Sequence, residues 1–317
     1  MSDARERQFA SDIRHSLQES PRRIDALYFY DALGSALFEA ICELPWYKVT
    51  RAETGLLTTH GGAILDAAAP LTRIVELGAG SGGKLAVLLG HRDTDATPLT
   101  LRLIDVSRAA LDAAIRTVGH LPGVDAESHQ TSYTRGLSDI AQEPPPDGRT
   151  LVLFLGSNIG NFSPAGGDAL LAEVRAALRP GDMLLLGTDL VKPEADLLLA
   201  YNDPLGVTAA FNLNVFARMN HELRADFDLR TLQHVALWNA EASRIEMHVE
   251  CTQAQRVTIP AADLVLDLSA GERIWTESSY KYREQDIDHM LTRAGFDTRR
   301  RWVDGEAGFA LTVAEVI

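Results

Sequence analysis

Between Thr72 and Lys192, short apolar runs alternate with amphipathic stretches. The runs "RIVEL", "TLRLID", "TLVLFLG" and "DMLLLGTD" are nearly continuous in apolar residues, as in strands buried on both faces. Between them stand "SRAALDAAIRTV" and "GDALLAEVRAALR", whose apolar positions recur at helical spacing. This rhythm predicts an α/β fold built on an open parallel sheet with crossover helices. Ser163-Pro164 supplies an N-cap and a first-turn proline for the helix after the third run. Residues 1–60 read as helices, with "SALFEAICEL" at helical spacing and Thr50-x-x-Glu53 in the form of a capping box that would start a further helix. After Pro193 the rhythm breaks. A helical piece from Ala195 to Arg224 precedes the alternating segments "HVALWNA", "RIEMHVECT" and "RIWTESSYKY", which predict an inserted antiparallel sheet. A helix over "EQDIDHMLTRAGF" and two strands joined at Asp304-Gly305 complete the chain.

Composition narrows the functional classes. The 317 residues carry 46% hydrophobic and 23% charged side chains, an ordinary globular balance, and the length suggests about two folding units. A formal net charge of -14 argues against a nucleic-acid partner, and Arg299-Arg300-Arg301 reads as a solvated strand edge. Cys42 and Cys251 form no disulfide framework, and the nine histidines show no ligand spacing, since Ala225 stands where a second ligand after His221-Glu222 would be. No apolar run is long enough to cross a bilayer, and "MSDARERQFASDIRHSL" has no signal core. The expectation is a cytoplasmic, monomeric protein with no metal and no membrane partner.

The segment "RIVELGAGSGGKLAVLL" places strand, glycine loop and helix in immediate succession, so amides at the helix start would face a ligand over the strand end. Gly78, Gly80 and Gly83 satisfy G-x-G-x-x-G, a pattern that by itself fits a structural turn as well as a nucleotide site. Asp105, closing the next strand, adds a carboxylate placed to accept ribose hydroxyls. Glu76 then separates two cofactors. Beside a pyrophosphate it would repel, whereas it suits the ammonium and sulfonium of S-adenosylmethionine (SAM); bonding to loop amides is its alternative role. In "RIWTESSYKY", strand alternation puts Trp275, Glu277, Ser279 and Lys281 on one face. Taken alone, that is a solvated face with Glu277 paired to Lys281.

The stretches "YDALGSALFEAICELPWYKVTRAE", "ELGAGSGGK", "FLGSNIGNFSP", "GTDLVKPEADLLLAYND", "FNLNVFARMN", "RIEMHV" and "WTESSYKY" together resemble the SAM-dependent histidine Nα-methyltransferases of ergothioneine biosynthesis, over nearly the whole chain. The resemblance implies a Rossmann-like SAM methyltransferase sheet, residues 61–192 plus 284–317, and a substrate-binding domain, residues 1–60 plus 193–283. It implies that Gly78, Lys84 and Asp105 contact SAM, with Ser132 and Tyr133 at the adenine. It further implies that Asn161 and Tyr201 grip the substrate carboxylate, that Tyr30, Tyr47 and Met247 line the amino-acid pocket, and that Glu277, Ser278 and Ser279 form the imidazole-reading stretch, with Glu277 and Ser279 holding the ring. Singly, each of these side chains has a packing role open to it: Asn161 as a turn residue, Tyr201 and Met247 in a core, Tyr30 and Tyr47 at a domain seam. No residue stands out as a dedicated base.

Two stretches depart from the family pattern. Ser132-Tyr133 replaces an acidic residue and an aromatic near the adenine, and Tyr47-Lys48-Val49 replaces a Tyr-Tyr-Pro stretch. The activity implied is methyl transfer from SAM to the α-amine of L-histidine, carried on to the trimethylated betaine. Three alternatives differ in their requirements. An enzyme of the same build acting on a tryptophan derivative should lack the Glu277 and Ser279 pair, an NAD-dependent oxidoreductase is disfavoured by Glu76, and a SAM-binding module without catalysis has only the altered adenine segment in its favour.

Overall fold

The computed structural model describes residues 2–93, 97–144 and 146–317, with side chains from residue 6 onward. In chain order the elements are α1 (Ser2–Gln18), α2 (Ala32–Glu43), α3 (Val49–Ala67), β1 (Leu71–Leu77), α4 (Gly83–Leu89), β2 (Leu99–Asp105), α5 (Arg108–Val118), β3 (Val124–Gln130), α6 (Tyr133–Gln142), β4 (Arg149–Phe154), α7 (Pro164–Ala176) and β5 (Met183–Asp189). There follow α8 (Glu194–Tyr201), α9 (Val207–Glu222), β6 (Leu232–Asn239), β7 (Arg244–Cys251), β8 (Gln255–Ile259), β9 (Leu264–Leu268), β10 (Arg273–Tyr280), α10 (Glu284–Arg293), β11 (Phe296–Asp304) and β12 (Phe309–Val316). They divide into two compact units, one of Met1–Tyr47 with Pro193–Ser279, the other of Lys48–Lys192 with Tyr280–Ile317.

The second unit is an α/β sheet in the order β3-β2-β1-β4-β5-β12-β11. Strands β1 to β5 run parallel, and β12 is antiparallel to both β5 and β11. Strand β5 is buried at every position, as its continuous apolar run requires, and the core gathers Val75, Leu77, Phe154, Leu184 and Leu186 beneath α7 and α10. The chain leaves β1 toward β2 on one side, while β4 lies on the other. Their carboxyl ends therefore flank the crevice where open α/β sheets bind ligands. Ser163 caps α7 by accepting from the Gly166 amide, with Pro164 in the first turn.

Helix α3 corrects two expectations. It belongs to the sheet unit, so the boundary falls after Tyr47 and not after residue 60. Its N-cap is Lys48 without a side-chain bond, so Thr50 and Glu53 form no capping box; Glu53 lies one turn into the helix and is fully buried. Edge strand β3, "VDAESHQ", escaped the reading of apolar runs because an edge strand needs few apolar residues.

In the first unit, β10, β7 and β6 form a three-stranded sheet, and β8 pairs with β9 as a separate hairpin. The helical piece expected from Ala195 to Arg224 is two helices. Pro204 and Gly206, the latter at φ +74, interrupt it, and Asp203 accepts the amides of Leu205, Val207 and Thr208 at the break. Burial opposes ionisation of Asp203, but those amide bonds outweigh it and hold the carboxyl below its usual range. The break makes Tyr201 the last residue of α8.

Candidate active site

In the sheet unit, the turn after β1 is made by Gly78, Gly80 and Gly82, all at positive φ. A Cβ at Gly78 would stand 2.7 Å from the Tyr133 hydroxyl and 2.8 Å from Asn158 Nδ2, so only glycine lets these groups close over the loop. Asp105 Oδ2 accepts from the Gly80 amide at 3.2 Å and Oδ1 from the Ser107 amide at 2.8 Å, which ties the end of β2 to the glycine turn. Burial raises the Asp105 pKa, and those amides partly offset it. Glu76 is buried, and its Oε2 has no hydrogen-bond partner among the described residues. Its pKa is pushed up to about 8 by burial, against the lowering effect of Lys84, with the charges of Glu53 and Asp105 adding to the rise. Glu53 accepts the Gly156 amide on both oxygens, at 2.9 and 2.8 Å, and lies 2.5 Å from Lys84 Nζ. Glu76 thus has two acidic neighbours and one lysine around it. A buried carboxyl group at a crevice that can ionise beside a cation suits a cationic ligand.

Tyr133 packs edge-on against Phe154 at 5.5 Å, and its phenol is held well above the usual range by burial and by the charges of Asp105 and Glu76. Ser132 is exposed and serves as the N-cap of α6, accepting the Arg135 amide at 3.3 Å. Asn161 ends a one-turn 3-10 helix, Asn158–Asn161, after β4.

In the other unit the chemistry is aromatic and neutral. Rings meet edge-on from Tyr30 to Phe38 at 5.7 Å, from Phe38 to Tyr47 at 6.5 Å and from Tyr47 to Tyr201 at 6.3 Å; Phe211 of α9 closes on Tyr30 and Phe38. The Tyr201 hydroxyl is 2.8 Å from Ser279 Oγ on β10. Met247 is buried with Leu197 and Ile245 against Tyr201, and its carbonyl accepts the Thr276 hydroxyl across β7 and β10. Glu277 is half-buried, one alternate position from Ser279, and its carbonyl accepts Trp275 Nε1. Ser278 lies between them, where alternation turns it to the other face.

A family model for SAM-dependent, histidine-specific methyltransferases matches residues 9–316. The chain belongs to that family. Histidine N-alpha-methyltransferase of Mycolicibacterium smegmatis is 42% identical over 96% of the chain and 93% of its own length, and that of Mycobacterium tuberculosis is 40% identical over the same shares. Ergothioneine biosynthesis protein 1 of Neurospora crassa is 26% identical over 91% of the chain, which matches 32% of that longer protein.

The structure brings Gly78, Asp105 and Tyr133 together around the glycine turn, with Lys84 held by Glu53, and brings Tyr30, Tyr47, Tyr201, Met247 and Ser279 together in the other unit. Asn161 falls in the sheet unit, apart in sequence and unit from Tyr201. The solvated face expected for Lys281 is not found: Lys281 is 3% exposed, and its ammonium lies 2.9 Å from Asp189 Oδ2 at the end of β5. Glu53 went unnoticed as a site residue. Its signal was present, since it shares the buried stripe of α3 with Val49, Ala52, Leu56 and Leu57, where a carboxylate has no place unless something binds it.

Proposed function

We propose that this methyltransferase moves the methyl group of SAM to the α-amine of L-histidine and repeats the transfer to the trimethylated betaine, the first step of ergothioneine biosynthesis. Membership in the histidine-specific family, over nearly the whole chain, is the observation that carries this. When bound, SAM supplies an activated methyl group on a sulfonium. The sheet unit is its binding unit: the Gly78 turn admits the ligand close to the backbone, Asp105 takes the ribose, and Tyr133 flanks the adenine with Ser132 at the start of its helix. Glu76 fits the cationic end, since a buried oxygen such as its Oε2, with no donor among the described residues, gains most from a bound ammonium. Lys84 acts here through its bond to Glu53, which fixes the helix start and the turn at Gly156.

The other unit reads the amino acid. Glu277 and Ser279 take the two imidazole nitrogens, Tyr201 takes the carboxylate, and Met247, Tyr30 and Tyr47 form the walls; Asn161, a residue of the sheet unit, is the second carboxylate ligand that the family resemblance implies. Uncharged donors at the carboxylate add no cation beside the sulfonium. The reacting amine must be neutral, and a nearby sulfonium lowers its pKa as any like charge does. In-line displacement then asks chiefly for position, and orientation of this kind is worth about 7–11 kcal/mol of barrier. As methyl groups accumulate, the product becomes a fixed cation, which the Tyr30, Phe38 and Tyr47 rings are suited to hold. The protein works as a cytoplasmic monomer on a small molecule, without nucleic acid or metal. Incubating it with SAM and a mixture of amino acids, and following mass gains, tests the substrate. Histidine should gain up to three methyl groups; methylation of another amino acid with histidine untouched would overturn the proposal.

A further inference from the structure

His234, on β6, is buried to 8% exposure, and both ring nitrogens are engaged. Nε2 lies 2.8 Å from the backbone carbonyl of Tyr201, an atom that can only accept, so Nε2 carries the proton. Nδ1 lies 2.8 Å from Asn212 Nδ2, and the same amide nitrogen donates to the His248 carbonyl at 3.0 Å. An oxygen in that place would face a carbonyl, so the amide nitrogen is the donor and Nδ1 the acceptor. The ring is therefore neutral and held in one tautomer.

The carbonyl it reaches belongs to the last residue of α8, where helical carbonyls lack partners of their own. Tyr201 is also the residue whose phenol touches Ser279. We propose that His234, oriented by Asn212, is a positioning residue that fixes the backbone of Tyr201 so that its hydroxyl stands at the substrate carboxylate and on Ser279. The chain runs from Asn212 on α9 through His234 on β6 to α8, and so joins three elements of one unit at the point where the phenol leaves the helix. This rests on the reading of Tyr201 as a carboxylate ligand.

Two amide replacements separate positioning from packing. In His234→Gln the terminal amide reaches as far as Nε2 and still donates to the Tyr201 carbonyl. In His234→Asn the shorter amide reaches Asn212 and stops short of Tyr201. The comparison is kcat/KM for histidine against histamine, which lacks the carboxylate, together with the Kd for SAM. His234→Asn should raise the KM for histidine at least tenfold and lower its preference over histamine by a similar factor, with SAM binding within twofold of the parent. His234→Gln should recover most of that preference, and adding His234→Asn to Tyr201→Phe should cost less than a further twofold. Equal losses for histidine and histamine, equal behaviour of the two amide variants, or full additivity with Tyr201→Phe would overturn the proposal. If another amino acid proves to be the substrate, that acid and its decarboxylated amine serve the same comparison, so the substrate reading and this one fail separately.

Discussion

The sheet unit and the inserted unit hold their ligand groups by different physics. Around the Gly78 turn the side chains are acidic and buried, with Glu53, Asp105 and Lys84 near Glu76, and the fixed points are backbone amides of Gly80, Ser107 and Gly156. Around Tyr201 the groups are rings and neutral hydrogen-bonders, with hydroxyl on hydroxyl and imidazole on carbonyl. A cationic cofactor rewards the first arrangement, because a buried carboxyl group that ionises beside it attracts strongly in a low dielectric. A zwitterionic amino acid that must lose a proton and then accumulate a permanent positive charge rewards the second, because rings and neutral donors serve each of its forms.

Removing a charge from the sheet unit should have the largest effect on stability. Glu53→Ala takes the carboxylate from the Lys84 ammonium and the Gly156 amide, and breaking a buried pair from one side costs about 3–5 kcal/mol; Lys84 is 24% exposed, which favours the lower end. Denaturant unfolding measures it. A loss below about 1 kcal/mol, the scale of an exposed pair, would make the two units alike in this respect.

A smaller and subtler effect concerns pH. Without ligand, Glu76 keeps its proton up to about 8, against an ordinary value of 4.5 in the unfolded chain. The native state then holds the extra proton between those values, so this group's contribution to stability is full below about 4.5 and is lost as pH rises through about 8. A cation bound at Glu76 requires the carboxylate. SAM affinity should therefore rise with pH, by at most about tenfold per unit, and level off above about 8. Titration calorimetry at several pH values, in buffers of different ionisation heat, checks both the rise and the proton released. A flat profile would remove Glu76 from the cofactor site.

The two regions also differed in how far the sequence revealed them. The parallel strands β1, β2, β4 and β5 follow from local apolar runs, and strand, glycine turn and Asp105 lie close along the chain, so the turn and its tie to Asp105 are legible from short segments. A carboxylate three residues after Thr50 has the form of a cap, and only the place of Glu53 on the buried stripe of α3 shows otherwise. In the inserted unit, Tyr30, Tyr47, Tyr201, Met247 and Ser279 come from distant parts of the sequence, and without the family resemblance no spacing rule joins them. Lys281 reads as a natural partner of Glu277, two positions along one strand face, and nothing local foretells that the fold brings Asp189 of β5 to it from far away in sequence. His234 and Asn212 were invisible for the same reason, since what marks them is a hydrogen bond to a helix end fixed only by the fold.

The division of labour between the units has its most direct test in Glu277→Ala. Glu277 lies in the unit proposed to read the amino acid and is only half-buried, so its removal should leave the Kd for SAM within twofold. Histidine kcat/KM should fall by about 10- to 150-fold, the equivalent of the 1.5–3 kcal/mol carried by a hydrogen bond to a charged group. Measuring SAM binding and histidine methylation on the same preparation decides the matter: loss of turnover with SAM binding intact is the predicted result, and a parallel loss of SAM binding would contradict it.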